Sequence, residues 1–351
     1  MSGHIIARGE PHGKDLRARA SRNRGMNRRE LLIAAAAGPA AFALPAAARA
    51  AATGGTPLAF VTSDSEDRVL VVRVTDLQVV RSLAVPDRPH GIEAVDKVGA
   101  ALVLSEKSGT ITIVDANAPK VRQVLEGFQS PRYAAGDPAG GPYAYVSDDA
   151  AGQVIAIDVP RARVIGRVEV GEGARHISIS PDGSRIVTSL GTKAPRLALV
   201  DVSRPQRPRL LRTFPADDLA HDVGFSPDLE QLWISSGVDR RLAIHDARTL
   251  RRLQRLPMDR PPQHVTFDQV TKRVYVASGE SGSLRVYRMA DARLLGTRRI
   301  PAGSYNVCAQ AGRVITPSLD RGTLTILDHR GLLSARIAPN AHDACLVVDT
   351  T

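Results

Sequence analysis

A segment that alternates small and apolar residues and closes on serine recurs seven times along this chain, and no other feature restricts its fold so severely. The copies stand at 58–63, 101–105, 144–147, 186–189, 232–235, 274–278 and 314–318, ending on Ser63, Ser105, Ser147, Ser189, Ser235, Ser278 and Ser318. A short loop follows, often with glycine, as at Gly109, Gly282 and Gly322. A second apolar run comes next, at 69–74, 111–115, 154–158, 197–201, 242–246, 284–287 and 324–328, and usually closes on aspartate. A third, more polar run then appears, as at 163–170. Period-two alternation, β-branched residues and polar turns between the runs predict short antiparallel strands.

A fourth strand opens the next copy. It is predicted to begin at His90, Arg132, Arg175, His221, Gln263 and Tyr305, with spacings of 42, 43, 46, 42 and 42 residues. A last start, His342, comes 37 residues later, where His342-Asp343-Ala344 parallels His221-Asp222-Val223. Repeats of this length and strand content stack as blades around an axis. The expected fold is therefore all-β, a seven-bladed β-propeller of four-stranded blades over 57–351. The first copy lacks a preceding strand and the last start lacks following ones. The C-terminal residues 343–351 are thus expected to pair into the first blade and close the ring, which removes free sheet edges.

The runs Ala144-Tyr-Val-Ser147 and Val274-Tyr-Val-Ala277 and the turn Ser180-Pro-Asp-Gly183 resemble the YVTN-type β-propeller repeat family, which includes periplasmic YncE-like propellers. The resemblance covers essentially all of 57–351, with 101–128 and 314–337 departing furthest from it. It implies the fold but selects no function. Propellers similar to this one host lactone hydrolysis or redox chemistry with haem d1, quinone or copper, and the YncE resemblance adds DNA binding.

Residues 1–50 read as a targeting segment. Asn27-Arg28-Arg29-Glu30-Leu31-Leu32-Ile33 has the paired arginines and apolar residues of a twin-arginine export signal. An alanine-rich run over 33–47 and the small-x-small site Ala48-Arg49-Ala50 follow. Gly38 and Pro45 interrupt that run, which is too weakly apolar to anchor in a bilayer. Met26 lies just before the motif, so either Met1 or Met26 is the start, the former giving an extended n-region. The expectation is a periplasmic protein, cleaved near Ala50, with a short linker at 51–56, no membrane span and a monomeric state.

The formal charge of +11 divides unevenly: residues 1–50 carry nine Lys/Arg against three Asp/Glu, leaving 38 against 33 in the remainder. That small surplus, with an aromatic content of only 4%, disfavours a nucleic-acid partner, which needs basic tracks and stacking rings.

Laid in register, the inner-strand starts put His90, Arg132, Arg175, His221, Gln263, Tyr305 and His342 in one row at a channel mouth. The next row holds Gly91, Tyr133, His176, Asp222, His264, Asn306 and Asp343. Five of the seven histidines beyond residue 50 fall in these rows, leaving only His245 and His329 outside. Imidazoles, guanidinium groups and carboxylates converging on one concavity form a candidate ligand site. It comprises His90, Arg132, Arg175, His176, His221, Asp222, His264, Tyr305, His342 and Asp343. The alternative is that a histidine here belongs to the repeat pattern and bonds a neighbouring blade. Arg132 and Arg175 favour an anionic ligand over a bare cation. Should a metal bind, His221, His264 and His342 are the candidates, although a metal spanning His221 and His342 requires an unusually narrow channel.

Cys308 and Cys345 occupy equivalent inner-strand positions and read as small core thiols, a bridge or soft-metal site being the alternative. The loop acids Asp64, Glu66, Asp67, Asp148 and Asp149 read as solvated. No Gly-x-Ser-x-Gly, His-Glu-x-x-His or Cys-x-x-Cys-His motif occurs. The leading expectation is a non-catalytic protein that binds a small anionic ligand or a protein partner at the channel mouth. The rival is a propeller enzyme or a carrier of metal, haem or quinone, which a twin-arginine signal mildly favours.

Overall fold

The computed structural model describes residues 57–347. The twin-arginine motif, the alanine-rich run, its cleavage site and the linker at 51–56 lie outside the described residues, as do 348–351. Each serine-ended run is a strand, and twenty-eight strands form seven four-stranded antiparallel sheets in a ring. In the first blade the order from the axis outward is Ala344–Val347, Leu58–Ser63, Arg68–Arg73 and Gln78–Ala84. Leu58 faces Val347 and Phe60 faces Cys345 across that pairing, so the end of the chain completes its beginning. The other six blades each use four consecutive strands. Their innermost members are Pro89–Val95, Pro131–Gly136, Ala174–Ile179, Val223–Phe225, Val265–Asp268 and Cys308–Gln310.

The second strand of each blade is buried on both faces, as in Leu58–Ser63 and Ala100–Ser105. Neighbouring blades cover both sides of every sheet, which is why these runs are almost wholly apolar. Seven apolar clusters fill the seven interfaces. One of them joins Val61 and Leu346 of the first blade to Ile315 and Leu324 of the seventh, so the ring is sealed by packing as well as by strand pairing. Cys345 lies in the cluster between the first and second blades, and Cys308 packs on the one between the seventh and first. Both thiols are free, and burial pushes that of Cys308 up to about 12.

In six blades the register shifts by a bulge between the third and outermost strands. The outermost strands are exposed and carry arginine, as in Arg163–Glu169 and Arg252–Pro257, which blunts them as edges. Among the described residues the only helical turn is Asp96–Val98, and no helix is long and apolar enough to cross a membrane.

Candidate ligand site at the channel mouth

A hydroxyl clamp sets the histidine rows in place. The Thr62 hydroxyl donates to the His90 carbonyl at 3.3 Å, and Ser147 and Ser235 donate likewise to Arg175 and Gln263, each 28 residues ahead in the next blade. The same oxygens accept the N–H of the second-row residue of their own blade: Asp343 at 3.0 Å, Tyr133 at 3.3 Å and Asp222 at 3.1 Å. Ser189 does this for His176 at 3.1 Å. In three of the blades, Thr62, Ser147 and Ser235 thus fix the inner strands of two blades at the level of the candidate residues. Gly91 has no side chain in this layer because the Arg132 carbonyl lies 2.6 Å from where its Cβ would be.

The rings of the two rows meet over the axis. His90 and His342 are edge to face with centroids 3.9 Å apart, and Tyr133 lies 4.3 Å from His176 and 5.8 Å from His264. His176, His221 and His264 form a triangle with centroid separations of 4.5, 4.9 and 5.3 Å. This layer divides the channel into two spaces. Above it is a mouth basin of about 580 Å³, lined by His90, Arg175, His221, His264, Tyr305 and His342. Below it is a space of about 390 Å³, lined by Glu93, Asp96, His176, Asp222 and Asp343. Tyr133, His264 and Asn306 touch both and form the partition.

Six of the ten residues expected at the mouth line the basin, and four do not. His176 is 1% exposed and faces the lower space, because successive inner-strand residues sit deeper along the axis. Asp222 and Asp343 lie below the partition, their carboxylates held by backbone. Asp222 accepts the Val265 N–H at 2.8 Å and Asp343 the Ile92 N–H at 3.1 Å, each in the next blade. Arg132 turns aside to pair with Glu106. Arg175 reaches the basin but pairs with Asp149 at 2.8 Å. The two arginines are therefore neutralised by loop acids, and the case for an anion cannot rest on them. The metal candidates also regroup. His342 binds Asp64 through Nδ1 at 3.1 Å, while His176 takes its place beside His221 and His264. The narrow channel brings these rings together.

The loop acids are not simply solvated. Asp148 is fully buried and accepts the N–H groups of Gln129, Ser130 and Ala151. Asp64 and Asp149 hold site residues, and Asp67 accepts the Arg88 N–H at 2.8 Å. A signal for two of these pairs was present in the chain: Glu106 and Asp149 each stand 26 residues before their arginine. The rim residues Lys193, Val238, Arg240 and Pro261 lie on loops between strands, Leu219 lies near the end of the strand Arg209–Ala220, and none carries a repeat signal. Of the two histidines outside the rows, His245 is structural, its Nδ1 on the Leu250 carbonyl at 3.0 Å and its Nε2 3.3 Å from Asp217.

Burial decides the ionisation of the channel. It holds the imidazoles of His90, His176 and His264 well below the usual histidine range, with neighbouring cations adding to the effect. It brings His221 down to about 4. It raises Glu93 to about 8, Asp222 to about 7 and Asp343 to about 6. At neutral pH the rings of His90, His176, His221 and His264 are uncharged, able to donate, accept or ligate.

No protein-family model and no curated protein match this chain. Solved structures do. A functionally unknown protein from Desulfotomaculum acetoxidans superposes with a TM-score of 0.72 at 12% identity, covering 83% of this chain and 99% of its own. Hydrazine synthase from Kuenenia stuttgartiensis superposes with a TM-score of 0.64 at 16% identity, covering 82% of this chain and 94% of that chain. At such identities the likeness concerns the fold alone, and no family model supports the YVTN-type resemblance. This chain is a seven-bladed β-propeller whose channel is divided by a layer of aromatic rings.

Proposed function

We propose that the protein is a binding propeller that takes a small organic anion, a carboxylate with an apolar body, into the mouth basin. The observation that carries this reading is the makeup of the rim. Apart from Arg175, which is paired with Asp149, its charged residues are Lys193 and Arg240 against a single acid, Glu280. Lys193 and Arg240 are exposed and make no ion pair among the described residues, so their charge is available to a ligand. Leu219, Pro261 and Val238, which is 51% exposed, supply an apolar flank beside them. A closed ring of short loops offers this surface at little ordering cost. The export signal at 27–33 is the reason to place such binding in the periplasm.

Anilinonaphthalene sulfonate, an apolar anion, is the probe. Fluorescence titration is expected to give one saturable site that weakens with salt. Lys193→Ala with Arg240→Ala should reduce its affinity by about tenfold or more, at the scale of exposed charge contacts. Affinity unchanged in that double variant would contradict the reading.

A further inference from the structure

We propose that His176, His221 and His264 form a binding site for one divalent transition-metal ion of borderline softness, the class of zinc, at the floor of the mouth basin. Each histidine offers one ring nitrogen, and the three lie within 4.8 Å of one another. Tetrahedral coordination with metal–nitrogen distances of about 2.0–2.1 Å needs nitrogens about 3.4 Å apart, so small ring rotations complete the set.

The second observation is His176 itself. Both Nδ1 and Nε2 are buried, and neither has a hydrogen-bond partner. A buried imidazole with two orphaned nitrogens is costly unless something binds it. The other two rings are already oriented from outside. His221 hydrogen-bonds the backbone of Thr192, and the Asp222 carboxylate lies 3.6 Å from His264 Nδ1. Each thereby keeps its remaining nitrogen for a metal, in the arrangement by which outer carboxylates and carbonyls orient metal-bound histidines.

The three residues come from the fourth, fifth and sixth blades, which are consecutive around the ring. His221 belongs to the upper row and the other two to the lower, so the rings converge without colliding. Imidazole-only ligation suits zinc, copper, nickel or cobalt and not magnesium or calcium. Three protein ligands leave a fourth position, and His221 and His264 both line the basin through which water or an anion reaches it. The nearby Arg175 opposes a cation, but its pairing with Asp149 removes much of that opposition. This site needs no ligand in the rim, so it stands or falls separately from the anion reading.

The test uses the protein freed of metal with a chelator and titrated with Co²⁺, then with Zn²⁺ in competition. One Co²⁺ per chain should bind at micromolar concentration, give the visible absorption of a four-coordinate site, and be displaced by Zn²⁺. His176→Ala and His264→Ala should each weaken binding about a hundredfold, while His329→Ala, at an exposed position, leaves it unchanged. Failure of the wild-type chain to bind one equivalent would overturn the assignment, and so would binding retained in folded His176→Ala. If His176→Ala does not fold, His221→Gln decides the matter: it preserves a hydrogen bond to Thr192, and binding undiminished there overturns the site equally.

Discussion

The carboxylate of Asp343 accepts the backbone N–H of Ile92 at 3.1 Å, so the last strand of the ring fastens the second blade as well as completing the first. Asp222 makes the same bond to Val265 at 2.8 Å. The Asp222 bond is buried and the Asp343 bond partly so, and losing either acceptor leaves an unsatisfied N–H at a blade interface. Asp343→Ala should therefore cost about 1–3 kcal/mol in urea unfolding, and Asp343→Asn, which keeps an acceptor oxygen, clearly less. Equal losses in the two variants would remove this role from the carboxylate.

Ring closure makes a stronger demand. Ala344–Val347 supply the innermost strand of the first blade, and Ala344 and Leu346 belong to the cluster it shares with the seventh. Removing residues 343–351 exposes the edge of Leu58–Ser63 and that cluster together. The truncated chain is predicted to lose cooperative unfolding or to aggregate. A cooperative melt at the wild-type temperature would show that the ring does not depend on its last strand.

The buried acids give stability an unusual pH dependence. Glu93 is raised by burial from 4.5 to about 8, so between those values the folded protein keeps a proton that the unfolded chain has released. Stability therefore falls as pH rises through this window. Asp222 and Asp343 act with the same sign up to about 7 and about 6. The depressed histidines act oppositely: the unfolded imidazole binds a proton below about 6.5 that the folded one refuses, so their contribution rises with pH up to that point. Above about 6.5 only the carboxyls still titrate. Stability measured by urea unfolding should decline from there to about pH 8, and Glu93→Gln should flatten part of the decline. A wild-type profile that rises over the same interval would contradict this ordering.

Arg132 separates the site suggested by register from the one the structure presents. Its guanidinium is paired with Glu106 and does not line the basin, so Arg132→Ala should lower the melting temperature while changing probe affinity by less than about twofold. Lys193→Ala is predicted to do the reverse. A parallel thermal melt and fluorescence titration of the two variants checks both halves.

The fold was legible because the physical requirement repeats. Each blade needs a doubly buried strand, and the hydroxyls of Ser147 and Ser235, which stand near the ends of two of these strands and clamp the next blade, mark that need in the sequence. The convergence of histidines was legible for the same reason, since register alone puts His176 and His264 at one level. Which histidines gather was not. That depends on ring rotamers across a narrow channel, where His342 turns to Asp64 and His176 turns inward. The charge of the site was also hidden. Glu106 and Asp149 cancel the conspicuous arginines, and the free cations, Lys193 and Arg240, sit on loops with no repeat pattern to reveal them.

The most direct measurement compares two probes of nearly one shape, anilinonaphthalene sulfonate and uncharged phenylnaphthylamine, on the wild-type chain and on Lys193→Ala with Arg240→Ala. A cationic, apolar-flanked basin predicts that the anion binds the wild-type chain about tenfold tighter than the neutral probe, and that the difference disappears in the double variant. Equal affinity for both probes in the wild-type chain would contradict it.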